Sequence, residues 1–438
     1  MSAVPSDMEH SYLDNVSSSS SASSYGSECS YDDTDYQGVV TSGESKRSFL
    51  RLLGMQSRSE CGYCGTADGS RFLALRASRL TCDDYQALID RGWRRAGSLL
   101  YLTDHSDSCC AYYTIRCHAL EHVLSTSDKK HLRRIRRHIS GATADNVSDL
   151  LVPQVSEIER GGLQVRLEAA SFTEEKFAVF EKYQVAVHND EDVSRQGFRR
   201  FLCDSPLLFQ PPARAVDELV LPAAGLGSYH QCYYVDGRLV AVGVLDILPS
   251  CVSSVYLFYD PDFSHLSLGT FSALREIALV RQLHQQLPNL RYYYMGYYIP
   301  SCPKMTYKGR WRPADLLDLH TLKWIPIDRC LERIAKHSVF CTFDPDVDRL
   351  SIFRDSREQV LDIAPAISPE LLTSEERSRA LERLEILVDV GGLFGMPRRI
   401  ASVCGSQLAL ISDELEELAL QTYVSVGDQL ATNVTLSL

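Results

Sequence analysis

Cys61-Gly-Tyr-Cys64 and the adjacent pair Cys109-Cys110 are the residues best equipped for chemistry in this chain of 438 residues. A CxxC turn can aim two thiolates at one ion, and a second pair in the same segment can complete a site for zinc or an iron–sulfur cluster. Adjacent cysteines are harder to aim at one ion than a second CxxC. A redox-active CxxC and small buried hydrophobes are therefore competing readings. Cys82, Cys117 and His118 are substitute ligands. The 14 cysteines follow no apolar leader, which fits reduced thiols in the cytosol or nucleus better than a secreted disulfide framework.

The second feature is electrostatic. Lys129, Lys130, Arg133, Arg134, Arg136 and Arg137 surround Leu132, Ile135 and Ile139. That spacing predicts a helix with one apolar seam and cations around the rest, a candidate for nucleic-acid phosphates. Arg91, Arg94 and Arg95, around Trp93, are candidates to extend it. The net charge of −12 opposes such a partner, but residues 1–45 carry eight acids and no Lys or Arg. Two thirds of the excess thus sits in the first segment, and phosphate binding depends on local field rather than total charge. The longest apolar runs, such as 239–245, fall far short of the roughly 18 residues of a membrane span.

These groups need a scaffold. Residues 1–48 are acidic, Ser-rich and poor in branched apolar side chains, which predicts a disordered tail that is free to compete for the basic run. Residues 49–140 form a cysteine-rich segment ending in the basic helix, and 141–165, with Pro153, Gly161 and Gly162, suit a linker. In 166–330, Tyr229–Val235 and Leu239–Leu248 flank Asp236-Gly237, a tight-turn signal for a hairpin. Strand 255–259, a turn through Gly269, a helix over Ala273–Leu283 and strand Tyr292–Tyr298 follow. Strand, glycine turn, helix and strand form a familiar acyltransferase core. Residues 331–438 read as a mainly helical extension, with Leu381, Leu384 and Leu387 on one helical face.

With these blocks in place, the sequence resembles the eukaryotic arginyl-tRNA:protein arginyltransferases. The resemblance rests on CGYCG (61–65), DYQALIDRGWRRAG (84–97), CCAYYTIR (109–116), EKYQVAVH (181–188), GFRRFLCDSPL (197–207), the long block 228–277 and YYYMGYYIPSCPKMTYKG (292–309). It implies an α+β chain: a GNAT-like acyltransferase domain with a mixed sheet, preceded by a small cysteine-rich metal-binding domain. It also implies that Cys61, Cys64, Cys109 and Cys110 hold an iron–sulfur cluster, with zinc as the alternative. Ala111 replaces the proline that relatives usually carry after the CC pair.

The implied reaction moves arginine from arginyl-tRNA to the α-amine of proteins beginning with Asp, Glu or oxidised Cys, marking them for N-degron degradation. The tRNA ester is already activated, so positioning and charge stabilisation dominate, and an amine of pKa about 7.7–8.0 needs only a modest base. By this resemblance Asp246 is the first choice for base or arginine anchor, with His230 and Gln231 orienting the amine. Asp260 and Glu276 are further anchors, Tyr256 and Tyr259 are stacking platforms, and Lys304 and Lys308, with Arg310 and Arg312, are partners for the acceptor's acid. Gly269 and Thr270, at a helix start, would face tRNA phosphates. The implied partners are arginyl-tRNA and proteins with acidic N-termini, and neither membrane nor DNA. Two other readings are an acetyl-coenzyme A-dependent acetyltransferase and a metal-sensing tRNA- or partner-binding module without activity.

Overall fold

A computed structural model of the chain describes residues 48–105, 107–140, 162–212, 225–337, 340–343, 373–383, 385–389, 400–404, 419–420, 422–424, 426–427 and 434–437. The predicted tail, apart from Ser48, and residues 141–161 of the predicted linker lie outside them.

In chain order, the first half contributes β1 (Ser48–Met55), β2 (Phe72–Arg79), α1 (Cys82–Ile89), β3 (Arg94–Ala96), β4 (Leu99–Thr103), β5 (Tyr113–His118), α2 (Thr126–Ser140), β6 (Leu163–Ala169) and α3 (Glu174–Tyr183). Then come β7 (Gly227–Val235), β8 (Arg238–Ile247), β9 (Cys251–Tyr259), α4 (Leu268–His284), β10 (Tyr292–Tyr298), β11 (Ala314–Asp318), β12 (Lys323–Pro326) and α5 (Ile327–Ile334). The last segment adds α6 (Ser374–Arg383), β13 (Glu385–Asp389), β14 (Ile400–Cys404) and β15 (Val434–Ser437).

The strands form two mixed sheets. The eight-stranded sheet has the order β12-β11-β5-β10-β9-β8-β7-β6. Its β7–β8 hairpin turns where expected, with Asp236 and Gly237 at φ 50° and 79° and Val235 paired with Arg238. Alternation along β7 then feeds two cores. Tyr229, Tyr233 and Val235 face a core shared with α2 and α4, whereas Cys232 and Tyr234 face one shared with α3. The cysteine-rich segment contributes β5, which lies between β10 and β11.

The β9–α4–β10 unit gives the sheet its opening. β9 and β10 are parallel, but their pairing covers only Cys251–Ser253 against Tyr292–Tyr294. Beyond that the strands run on to Tyr259 and Tyr298 unpaired with each other, so a fork opens towards their carboxyl ends. Ligands of open α/β sheets gather at such ends, and α4 starts there.

The seven-stranded sheet runs β14-β13-β15-β1-β2-β4-β3, so β1 lies between β2 and β15. The last segment therefore supplies strands as well as helix. The helix expected to carry Leu381, Leu384 and Leu387 on one face stops at Arg383, and Leu387 belongs to a strand paired with β14 and β15. Ladder pairing overrides a three-leucine helical period.

Candidate functional site

A cationic cleft of about 430 Å³ lies where α2 meets the start of α4, lined by Asp128, Lys130, His131, Arg133, Arg134, Arg137, Ser267, Thr270 and Arg310. Two sequence features build it. Leu132 and Ile135 are buried in the core under the sheet, each worth about 1.5–3 kcal/mol, and they hold α2 with Lys130, Arg133, Arg134 and Arg137 exposed. Ser267 then takes a left-handed conformation, φ 49°, to start α4. Arg134 Nη2 donates to Ser267 Oγ at 2.9 Å, and Arg310 Nη2 donates to Thr270 Oγ1 at 3.0 Å. The only acid in the lining, Asp128, is 4.0 Å from Arg310. Its carboxylate also accepts from Ser125 N and Oγ at 3.0 and 2.6 Å.

The start of α4, where the Thr270 amide is taken by Ser267 O at 2.9 Å and that of Gly269 is left over, and these guanidinium groups suit the same ligand, an anion with several acceptor oxygens. His131 Nδ1 is 3.0 Å from Arg134 Nη2. Burial, then Arg134 and Arg310, hold its pKa down at about 4.

The thiol centre lies against the end of β10. The sulfurs of Cys61, Cys64, Cys109 and Cys110 all fall within 4.8 Å of one another. Cys64–Cys109 is 3.3 Å, and Cys61–Cys110 and Cys109–Cys110 are each 3.9 Å. Tetrahedral ligands 2.3 Å from zinc stand about 3.8 Å apart, so the donor set fits a four-thiolate metal. Close approach depends on Gly69, where a Cβ would lie 2.7 Å from Cys109 Sγ. Tyr112 OH is 3.1 Å from Cys61 Sγ. Burial opposes ionisation of Cys64, but hydrogen bonds from Thr66, Cys109 and Cys110 outweigh it and bring the thiol down to about 6. Burial, then Cys64, pushes Cys109 up to about 12.

Comparison with known proteins bears on both features. Residues 59–130 match the family described as arginine-tRNA-protein transferase, N terminus, and 175–318 match its C terminus. The arginyl-tRNA--protein transferase 1 of Drosophila melanogaster is 32% identical over 405 residues, 64% of this chain and 82% of that protein. The chain belongs to the arginine-tRNA-protein transferase family. The Saccharomyces cerevisiae arginyl-tRNA--protein transferase 1 is 38% identical over 277 residues, 58% of this chain and 53% of its own. An aspartate/glutamate leucyltransferase of Campylobacter jejuni is 26% identical, covering 59% of this chain and 93% of its own. The first family match contains all four thiols and the start of the basic helix, and the second contains the β9–α4–β10 fork.

For an arginine-tRNA-protein transferase, the residues expected to do the chemistry are placed very differently from one another. Asp246 is 0% exposed. Its carboxylate accepts from Arg95 Nε and Nη2 at 2.7 and 2.6 Å and from Ser228 Oγ at 2.6 Å. It is an internal clamp between β3 and β8, already paired with a guanidinium of the chain itself, and it is not part of the cleft lining. His230 is also buried, with Nε2 2.9 Å from Leu202 O. Burial, then Lys176, hold its pKa down at about 4. Gln231 is buried and accepts from Tyr233 OH at 2.5 Å. On adjacent β7 positions, His230 and Gln231 face opposite sides of the sheet and do not form one amine-orienting pair.

Asp260 caps the turn before α4, accepting from Asp262 N and pairing with Arg238, so turn chemistry accounts for it. Tyr256 is buried and donates to Gln184 Oε1 at 3.2 Å, while Tyr259 meets the Tyr183 ring at 4.9 Å. Both fill core. Lys304 is exposed, whereas Lys308 is buried and donates to Tyr297 O at 2.9 Å. Burial, then Arg94, pull the Lys308 pKa down to about 7. Arg94 and Arg95 are buried and do not extend the basic face.

Glu276 is 0% exposed. It accepts from Tyr293 OH at 2.6 Å and from Ser272 Oγ, and burial pushes its carboxyl up. Opposite it, a Cβ on Gly243 would come within 3.3 Å of Glu276 Oε1. In the cleft, the structure joins Lys130, Arg133, Arg134 and Arg137 to Thr270. Ser267, His131 and the role of Arg310 were missed. The HLRR spacing held a signal for His131, but nothing local marked Ser267.

Proposed function

We propose that the chain transfers the arginyl group of arginyl-tRNA to the α-amine of proteins with N-terminal Asp, Glu or oxidised Cys, with the acceptor end of the tRNA in the cationic cleft. The observation that carries this reading is the convergence of Lys130, Arg133, Arg134, Arg137 and Arg310 on the start of α4. Phosphates would meet the guanidinium groups and the first-turn amide of Gly269, with the Thr270 side chain in the lining beside it. Lys129 and Arg136, on the same helix, would extend contact along the tRNA body. The leucyltransferase relative, whose name specifies aspartate and glutamate, supports acidic acceptors, and Lys304 and Arg312 flank the cleft-forming segment as candidates to meet them.

The fork between β9 and β10 supports a GNAT-like reading of the large sheet. Glu276 is then the arginine anchor. It lies six residues along α4 from Thr270, about 9 Å of helix, which is within reach of an extended arginyl group whose ester sits at the cleft. A guanidinium arriving there would favour the ionised carboxylate that burial disfavours. Ester and amine held together react by addition of the neutral amine to the ester carbonyl. The amide C–N bond forms as the bond between the carbonyl carbon and the ribose oxygen breaks, and the amine's proton passes to the departing ribose oxygen or to solvent.

Cys61, Cys64, Cys109 and Cys110 would hold an iron–sulfur cluster, with zinc as the alternative. Bound with all positions taken by protein, such a centre supplies a fixed point of the fold. Reduced thiols suit work in the cytoplasm and nucleus, and acceptors so marked would enter N-degron turnover.

The test supplies preloaded arginyl-tRNA carrying labelled arginine to the full chain, with peptides beginning in Asp, Glu or Ala. Label in the acidic peptides and not in the Ala peptide is the expected result. Equal labelling of all three would remove acidic specificity, and no labelling by folded protein would remove the transfer itself.

A further inference from the structure

Two cations are buried at the end of β10, and Lys308 lies close enough to Cys302, in the same cluster as Cys61 and Cys110, to feel its charge. Lys308 is 0% and Arg94 7% exposed. Among the described residues, neither forms an ion pair with a carboxylate. Lys308 Nζ donates to Tyr297 O at 2.9 Å. Arg94 donates to Trp93 O at 3.1 Å and to Gly296 O at 3.4 Å, with its guanidinium carbon 5.4 Å from the centre of the Tyr297 ring. Both therefore converge on neighbouring peptide units of β10, at a point where Gly296 takes φ 73°. Burying two like charges against carbonyl dipoles alone is costly.

The same end of β10 walls the thiol centre. Tyr297, Ile299, Cys302 and Met305 pack in one cluster with Cys61, Cys110 and Tyr112. The Tyr112 and Tyr297 rings are 5.4 Å apart, and Ser301 Oγ is 3.9 Å from Cys110 Sγ. Four thiolates on a divalent ion leave two negative charges in excess, and two buried cations match them.

We propose that Lys308 and Arg94 are the countercharges of the metal–thiolate centre. The assignment rests on reading Cys61, Cys64, Cys109 and Cys110 as that centre. It also explains why a lysine is tolerated in the core only two residues before Arg310, which lines the cleft. The loaded centre offsets the burial of Lys308 and so fixes the short turn, Tyr307–Arg310, that delivers Arg310.

The test is a double-mutant comparison in the full chain. Lys308→Met is made in the natural sequence and in a Cys61→Ser/Cys64→Ser background that cannot assemble the centre. Metal content, the rate of metal loss to a chelator and the thermal midpoint are measured. In the natural background, Lys308→Met should speed metal loss at least about tenfold and lower the midpoint, while Lys308→Arg stays near the unsubstituted protein. In the thiol-deficient background, Lys308→Met should leave the midpoint unchanged or raise it, because an uncompensated buried cation has been removed. Where Lys308→Met does not accumulate, Arg94→Gln reports the same comparison.

An unchanged rate of metal loss, or an equal fall in midpoint in both backgrounds, would reduce Lys308 to a holder of the Tyr297 carbonyl and overturn the inference. Failure of the unsubstituted chain to retain zinc(II), or iron supplied with sulfide, would overturn the centre itself and the inference with it. The transfer assay would be left standing.

Discussion

At the scale of single residues, what a side chain touches decides its role more than its chemical type does. Asp246 is legible in the sequence as an acid at a strand end, but its partner Arg95 lies 151 positions away, and no local pattern announces such a pair. Its function is internal support. Asp246→Asn strands a buried guanidinium, with an expected cost of about 3–5 kcal/mol, read as a lower urea midpoint. Arg95→Met in the same protein should recover much of it, and additive losses would contradict the pairing. The four thiols were legible as one site among several readings, because a CxxC and a CC also suit redox or core roles, and it was the family resemblance that implied this set. Gly69 was not, since its importance lies in a contact with Cys109 Sγ. Gly69→Ala should lower metal content several-fold by elemental analysis, with secondary structure retained.

At the scale of elements, local periodicity was reliable where one side of an element meets the core. The seam of α2 and the Asp236-Gly237 hairpin follow from the sequence. The helical pattern that continued past Arg383 did not survive, because β13 finds ladder partners in β14 and β15. The place where α4 begins could be read, but the approach of α2 to it could not, and that approach makes the cleft. Leu132→Ala should therefore act at a distance. Beyond a cost of about 2–5 kcal/mol for a fully buried leucine, it should weaken tRNA binding by loosening the helix that carries the cations. A filter-binding titration that finds stability lost and tRNA affinity unchanged would separate the helix from the cleft.

At the scale of the whole molecule, β5 placed between β10 and β11 and β15 placed beside β1 join segments far apart in sequence, which periodicity cannot reveal. The assembled interior also sets a pH limit. His105, stacked 4.1 Å from Phe340, is held down at about 3 by burial and then by His320, and His230 at about 4 by burial and then by Lys176. Their folded pKa values lie below the ordinary 6.5, so between the two values the unfolded chain binds more protons. Stability should then fall as pH drops from about 6.5 towards 4, by up to about 1.4 kcal/mol per pH unit for each histidine. His105→Phe keeps the stack and should flatten the slope of the thermal midpoint against pH. An unaltered slope would remove His105 from the account.

Charge is likewise a property of the whole. Residues 1–45 hold eight acids without a Lys or Arg, and deleting them should tighten tRNA binding at low salt, with the difference vanishing at high salt.

The central claim is that the cleft between α2 and α4 holds the tRNA during transfer. It is tested most directly by kcat/KM for arginyl-tRNA, measured across a range of salt concentrations, in the full chain and in Arg134→Glu/Arg137→Glu. Both positions are exposed, so folding should be unaffected. The account predicts a loss of at least about tenfold in kcat/KM and a shallower salt dependence, by roughly 0.7–0.9 for each phosphate contact removed. Unchanged kcat/KM with an unchanged salt slope would place the tRNA elsewhere on the molecule.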